Sequence, residues 1–142
     1  MPIAAAFLAI AICAVPFVGG EKSHMPLPAK IMTAKTIYID NRSGMAQVGD
    51  RAYDELKNWG RFQVVTERKQ ADLILVLSVE THSAGPTTVS ILDPATGDTL
   101  WESTQAWRSW SLAGWRFSGK SATRISIEDL RKRMEEQQRQ QP

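Results

Sequence analysis

This chain has a single cysteine, Cys13, and two histidines, His24 and His82, so it offers little to thiol or metal chemistry. Cys13 lies inside an apolar run, and the rest of the chain therefore has no thiol for an internal disulfide, a nucleophile or a metal site. No HxH or HExxH spacing gathers the histidines around a metal. His82 stands beside Ser83, but there is no GxSxG motif, and we interpret this histidine as a solvent-facing loop residue.

Glycine-rich phosphate motifs are also missing. The glycines are scattered and form neither a phosphate loop nor a dinucleotide fingerprint. Positive and negative charges nearly balance, with 17 Lys and Arg against 15 Asp and Glu, which does not point to nucleic acid as a partner. We therefore expect a protein that is not an enzyme, with no cofactor, no metal and no nucleic-acid partner.

The first 20 residues contain no charge. Residues 3–18 are almost wholly apolar, which fits the core of a signal peptide better than a folded helix, because such a helix would need a polar face. The small residues Val18 and Gly20 flank a cleavage point before Glu21. The sequence thus predicts a signal peptide over residues 1–20 and a periplasmic or secreted protein with no stable membrane insertion after cleavage.

Two other interpretations of this apolar run stay open. No Lys or Arg precedes it, so it could be a retained N-terminal anchor, although it is short for a bilayer of roughly 30 Å. Lipidation of Cys13 is disfavoured, because the preceding Ile12 is not small.

The rest of the chain, residues 21–142, suffices for one domain with a core and is too short for two. Pro26 and Pro28 in a polar setting predict a flexible lead-in over residues 21–35. The polar end of the chain, residues 138–142, is expected to fray, since it has nothing to bury. A single α/β domain over residues 36–137 remains.

The first half of this domain shows a strand, a helix and two more strands. Residues 36–39 have the β-branched and aromatic pattern of a strand and run into a cluster of turn formers, 40–44. A helix follows, and Gly60 stands where it should stop. Its apolar stripe consists of Val48, Ala52, Leu56 and Trp59. Residues 62–66 and 73–77 predict strands, and the unbroken apolar run of 73–77 indicates the central strand, covered on both faces.

The second half shows a hairpin and a last helix. Residues 87–92 and 99–105 flank a turn at 93–97. Ser126 resembles a helix N-terminal cap, followed by an apolar seam of Ile127, Leu130 and Met134. The order β-α-β-β-β-β-α predicts a two-layer α/β sandwich, in which a mixed sheet of about five strands carries two helices.

Several of these segments come in an order that resembles a group of bacterial envelope proteins. The segments are 39–44, the helix ending in Leu56, 60–65, 71–75 and the 93–97 hairpin with Thr99, Leu100 and Trp101. The group comprises the TolB N-terminal domain, CsgG and LpoB. The resemblance covers roughly residues 36–105 and implies a non-enzymatic periplasmic or surface module that binds other proteins. The lipid-attachment cysteine of CsgG and LpoB and the propeller of TolB are missing here, so their specific roles do not carry over; small secreted bacterial proteins share the same pattern.

Three carboxylates, Asp40, Asp72 and Asp93, each stand at a strand boundary. Paired acids can hydrolyse glycosides when they lie about 5–10 Å apart. Asp in such positions more often forms turns and caps, and we expect that role for all three.

The candidate contact surface lies after the hairpin. No acidic residue occurs between Glu102 and Glu128, while arginines and tryptophans alternate there. Aromatic faces beside guanidinium groups suit a protein partner or a sugar ring, because both residue types contribute large contact energies. We predict that the partner-binding residues are Arg108, Trp110, Trp115 and Arg116, whereas Trp59 and Trp101 belong to the core. A core position for Trp110 and Trp115 is the alternative, although the glycines of this stretch favour a loop.

The sequence therefore favours an exported, non-catalytic binding or assembly module of the bacterial cell envelope, with an envelope protein or a glycan as partner. A glycan-binding domain that uses the Trp/Arg-rich segment is the first alternative, and an enzyme with an unrecognised site is the second. The oligomeric state stays open.

Overall fold

The computed structural model describes residues 25–80, 86–105 and 119–142. These residues form three helices, a 3-10 turn (Arg68–Gln70) and five strands. The helices are α1 (Ala29–Thr33), α2 (Ala46–Trp59) and α3 (Gly119–Gln140). The strands are β1 (Thr36–Asn41), β2 (Gln63–Val65), β3 (Leu73–Val79), β4 (Thr87–Leu92) and β5 (Thr99–Gln105).

The strands make one mixed sheet in the order β2-β1-β3-β4-β5. β1 pairs in parallel with β2 and β3, whereas β4 pairs antiparallel with β3 and β5. β3 is the central strand, as its apolar run predicts. Its residues from Leu73 to Leu77 are all buried, and because side chains alternate along a strand, both faces of β3 are covered.

Both long helices pack on the same face of the sheet. α2 contacts β1 and β2, α3 contacts β4 and β5, and the two helices contact each other. The predicted two-layer α/β sandwich with a mixed five-stranded sheet is thereby confirmed, with α1 as an additional short helix. α2 ends where expected, at Gly60, whose left-handed backbone (φ 71°) a residue with a side chain adopts only at a cost.

The core lies between the sheet and these helices. Val48, Ala52 and Leu56 of α2 are buried as predicted, while Trp59 is half-buried at the margin. The main core residues from the other elements are Ile31, Ile37, Leu73, Leu75, Leu77, Val89, Ile91, Trp101, Ile127, Leu130 and Met134.

The segment predicted as a flexible lead-in contains α1 and contributes to the core. Leu27, Ile31 and Ala34 are buried. Arg61 donates from Nη1 to the carbonyl of Ala34 (3.0 Å) and from Nη2 to that of Met32 (2.5 Å). The Pro-rich composition predicts flexibility, but long-range packing and hydrogen bonds hold residues 25–35 in place.

The last helix begins earlier than the sequence predicts. Ser126, expected at its N-terminal cap, lies within α3 and is fully buried. Its hydroxyl contacts the sheet instead of capping the helix. The helix also continues to Gln140, into the stretch expected to fray.

The strand boundaries at the start of the domain differ slightly from expectation. β1 extends to Asn41 and takes in Asp40, which was assigned to a turn, while β2 is shorter than residues 62–66. β4 and β5 have the predicted limits.

Candidate functional site

The four predicted partner-binding residues, Arg108, Trp110, Trp115 and Arg116, lie outside the described residues. They belong to the connection between β5 and α3, residues 106–118, which we call the Trp/Arg segment. The two ends of this connection are described, and they determine where it is attached.

A small polar cluster joins β5 to α3, the two elements that the Trp/Arg segment connects. The Ser126 hydroxyl of α3 donates to the Ser103 hydroxyl of β5 (3.2 Å), and Gln105 Nε2 donates to the same oxygen (3.2 Å). Thr123, one turn before Ser126, is fully buried as well. The first turns of α3 are thus attached to β5 through hydroxyl and amide groups, whereas the later turns pack through Ile127, Leu130 and Met134.

This cluster limits the gap that the Trp/Arg segment must bridge. Gly119 lies seven helical residues from Ser126, a rise of about 10 Å. Gln105 lies two strand residues from Ser103, about 7 Å. With Ser103 and Ser126 in contact, the ends are no more than about 25 Å apart, whereas the thirteen residues of the segment reach about 45 Å when extended. The segment is therefore much longer than the fold requires.

Two tryptophans are described, and neither belongs to the candidate surface. Trp101 is buried on the helix-facing side of β5, as predicted. Trp59 is half-buried at the end of α2, and its ring meets that of Phe62 edge-on, with centroids 5.3 Å apart. Both serve packing.

Asp72 connects the start of β3 to the start of β1. Its Oδ2 accepts hydrogen bonds from the backbone N–H groups of Lys35 (2.9 Å) and Thr36 (3.1 Å). These donors stabilise the carboxylate and hold the pKa of Asp72 below its usual value. The Thr36 hydroxyl completes the link by accepting from the Asp72 N–H (2.9 Å).

Asp93 begins the β4–β5 turn and pairs with α1. Its Oδ1 accepts from Lys30 Nζ (2.5 Å) and from the backbone N–H of Ala95 (2.8 Å). The Lys30 ammonium, and after it the Ala95 amide, hold the pKa of Asp93 below its usual value. This carboxylate therefore forms the turn and also holds the lead-in against the hairpin.

Asp40 faces two arginines at the opposite end of β1. Its Oδ2 contacts Arg42 Nη2 (2.7 Å) and Arg68 Nη1 (3.4 Å). In the pairing of β1 with β3, Asp40 lies opposite Val76. Asp72 lies four residues before Val76 in the chain. The two carboxylates are thus four residues apart along the strands, about 13 Å, which is too far for a pair of glycosidase acids.

Sequence reasoning missed the residues that hold the lead-in. Gln137 of α3 accepts from the Leu27 backbone N–H through Oε1 (2.7 Å) and donates to the Leu27 carbonyl through Nε2 (3.1 Å). Lys30 and Arg61 supply the other contacts. These partners are up to 110 residues apart, so no local sequence signal could have shown them.

Neither a metal-binding cluster nor a membrane-spanning helix is found in residues 25–80, 86–105 and 119–142. These residues contain no group of three or more His, Cys, Asp or Glu placed to hold a metal ion. None of their helices is long and apolar enough to cross a membrane. His24 and His82 lie outside the described ranges.

No protein-family model and no curated protein matches the chain. Solved structures do resemble it. A PelC dodecamer from Paraburkholderia phytofirmans shares 18% identity at a TM-score of 0.47, over 78% of this chain and 93% of that one. E. coli LpoB shares 13% sequence identity at a TM-score of 0.39, and the match covers 75% of this chain and 83% of LpoB. An uncharacterized lipoprotein B from Nitrosomonas europaea shares 15% sequence identity at a TM-score of 0.37, and the match covers 84% of this chain and 86% of that one.

LpoB, one of the proteins in the resemblance drawn from the sequence, is thus among the similar structures. At these identities and TM-scores, the likeness carries no conclusion about function.

Proposed function

We propose that this protein is an exported, non-catalytic binding or assembly module of the bacterial cell envelope, and that it contacts its partner through the Trp/Arg segment. The anchors would be Trp110 and Trp115, flanked by Arg108 and Arg116.

The observation that carries this proposal is the length of the segment relative to the gap between its ends. Thirteen residues join two elements that contact each other at Ser103 and Ser126. Connections of this length are uncommon in compact domains and are often binding loops. The segment carries tryptophans and arginines, which contribute large contact energies at protein interfaces, and this composition supports a partner-binding role.

The positions of the three carboxylates support a non-catalytic role. Asp72 and Asp93 are engaged with backbone N–H groups at strand ends, and Asp40 is paired with two arginines. Each therefore has a structural task that accounts for its position.

The test is capture of envelope proteins by the full chain and by a Trp110→Ala/Trp115→Ala variant. Truncating one anchor should weaken binding by about 2 kcal/mol or more, roughly 30-fold, so we expect the captured partner to be lost. The control is Tyr53→Ala, since Tyr53 is an exposed aromatic residue on α2 and does not belong to the segment.

Equal capture by the double variant and the unchanged protein would remove the Trp/Arg segment from the proposal. Retention on isolated cell-wall glycan instead, dependent on the same two tryptophans, would show the glycan-binding alternative to be right.

A further inference from the structure

The outer edge of β5 is open along its length in the described part of the chain. β5 has seven residues and is the last strand of the sheet, whereas the opposite edge is formed by the three-residue β2. Alternate backbone N–H and C=O groups of an edge strand point away from the sheet and can pair with another strand. β5 contains no proline, and its one charged residue is Glu102.

We propose that this edge binds a second copy of the chain, with two β5 strands pairing antiparallel about a twofold axis at Ser103. Such a dimer joins two five-stranded sheets into one. The inference does not involve the Trp/Arg segment and is independent of the proposed function.

The regular part of β5 sets the register. Ile91 pairs with Trp101 and Leu92 with Thr99, so Leu100 is an extra residue that interrupts the strand. The uninterrupted part runs from Trp101 to Gln105, and Ser103 is its centre.

The pairs in this register are chemically compatible. A twofold axis at Ser103 places Glu102 opposite Thr104 of the second copy, and Trp101 opposite its Gln105. An axis at Glu102 would place two carboxylates opposite each other, which is destabilising. An axis at Trp101 would bring Leu100, the extra residue that interrupts the strand, into the pairing. An axis at Thr104 avoids both problems but pairs only residues 103–105, whereas an axis at Ser103 avoids both and pairs the whole run from Trp101 to Gln105.

The position of α3 is compatible with this pairing. α3 contacts both β4 and β5 on one face of the sheet. With strands about 4.8 Å apart, a helix above the line between β4 and β5 would lie about 10 Å from its copy. That separation is the usual distance between packed helices.

Ile125 supplies an exposed apolar side chain for that helix contact. It is one of the few large hydrophobic residues that the structure leaves exposed among the described ones, at 39%. The neighbouring Ser126 contacts β5 itself. Helical spacing places Ile125 with Ala122 and Asp129 on the flank of α3 that lies on the Ser126 side, toward the open edge. Near the twofold axis, Ile125 and its copy would cover each other.

Disulfide formation tests the register directly. In the full chain, Cys13 is replaced by Ser so that an introduced cysteine is the only one. Residues directly opposite in an antiparallel pair are close enough for a disulfide. We therefore expect Ser103→Cys to give a disulfide-linked dimer under mild oxidation.

The matched control is Thr104→Cys. In the proposed register two copies of this residue are offset by two positions along the strands, about 8 Å apart between Cα atoms, beyond the reach of a disulfide. No cross-link from Ser103→Cys, or equal cross-linking of both variants, would overturn the proposal.

A charge pair at Thr104 provides a second test that does not depend on a cysteine. Thr104 is exposed and faces Glu102 of the second copy. Thr104→Lys should lower the dimer dissociation constant by roughly 2- to 30-fold, and Thr104→Glu should raise it by a similar factor, because each change acts at two symmetric pairs. Light scattering across a dilution series measures both, and circular dichroism confirms folding. A monomeric wild type, or no difference between Lys and Glu, would contradict the proposed pairing.

Discussion

At the scale of single residues, the two faces of β3 explain why the centre of the sheet could be located from sequence. A strand covered on both faces cannot alternate with polar residues, so its apolar run is unbroken. Leu75 is fully buried in the middle of that run.

Leu75→Ala is expected to lower the free energy of unfolding by about 2–5 kcal/mol, because it leaves a cavity in a closely packed core. Urea denaturation followed by circular dichroism measures this change. Thr66→Ala, at an exposed position after β2, serves as the control and should have little effect. A loss below roughly 1 kcal/mol for Leu75→Ala would contradict the central position of β3.

Asp72 makes the stability of the domain depend on pH. The Lys35 and Thr36 amides hold its folded pKa below the unfolded value of about 3.9. Its contribution is therefore present above the unfolded pKa and is lost as the pH falls through the folded pKa.

Asp72→Asn should remove that contribution, so that stability falls less steeply below about pH 4. Denaturation midpoints measured from neutral to acidic pH provide the comparison. The matched control is Asp54→Asn, a change at an exposed carboxylate on α2. If the two variants show the same pH profile, the role assigned to the Asp72 hydrogen bonds is wrong.

At the scale of elements, local patterns predicted what local interactions determine. The α2 stripe, the stop at Gly60 and the limits of β4 and β5 follow from periodicity and turn residues. The start of α3 does not follow from such local patterns. Ser126 has the composition of a cap, but its hydrogen-bond partner is Ser103, 23 residues away. The five-residue α1 is missed for the same reason, because distant residues hold it in place. Asp93 pairs with Lys30 in the helix, and Gln137 binds Leu27 just before it.

For the candidate site too, the sequence predicted one part, and distant contacts determine another. Composition drew attention to the Trp/Arg segment, and burial confirmed Trp101 as a core residue. The limit on the distance between the segment's two ends depends on a contact between α3 and β5, which no sequence pattern predicts.

Trp115→Ala and Trp101→Ala should separate a contact residue from a core residue. Removing the buried Trp101 is expected to cost about 3–5 kcal/mol of stability. Trp115→Ala should leave the melting temperature nearly unchanged if its indole serves a partner. A large fall in the melting temperature of Trp115→Ala would place that residue in the core and withdraw it from the contact surface.

Gln137→Ala should loosen the lead-in. The change removes two hydrogen bonds to the Leu27 backbone, each worth about 1 kcal/mol. We expect faster tryptic cleavage after Lys30, measured by mass spectrometry of the native protein. Gln138→Ala, at the exposed neighbouring position, is the control. Equal cleavage rates in both variants would show that Gln137 does not hold the segment.

At the scale of the whole molecule, export is the prediction on which the proposed location depends. Residues 1–30 fused to a reporter that is active only outside the cytoplasm should give activity, because an apolar run followed by small residues has the pattern of a signal-peptide core and cleavage site. The same fusion starting at residue 21 is the control and should be inactive. An intact but inactive fusion of residues 1–30 would exclude export by this segment.

The bond between Leu27 and Gln137 also sets the time at which the domain can close during synthesis. Its partners are separated by 110 residues, so this contact cannot form until the last helix has left the ribosome. The lead-in can bind Arg61 and Asp93 before that point, and its contact with α3 forms last. The packing of the domain is therefore completed only at the end of synthesis, when its first and last helices are both available.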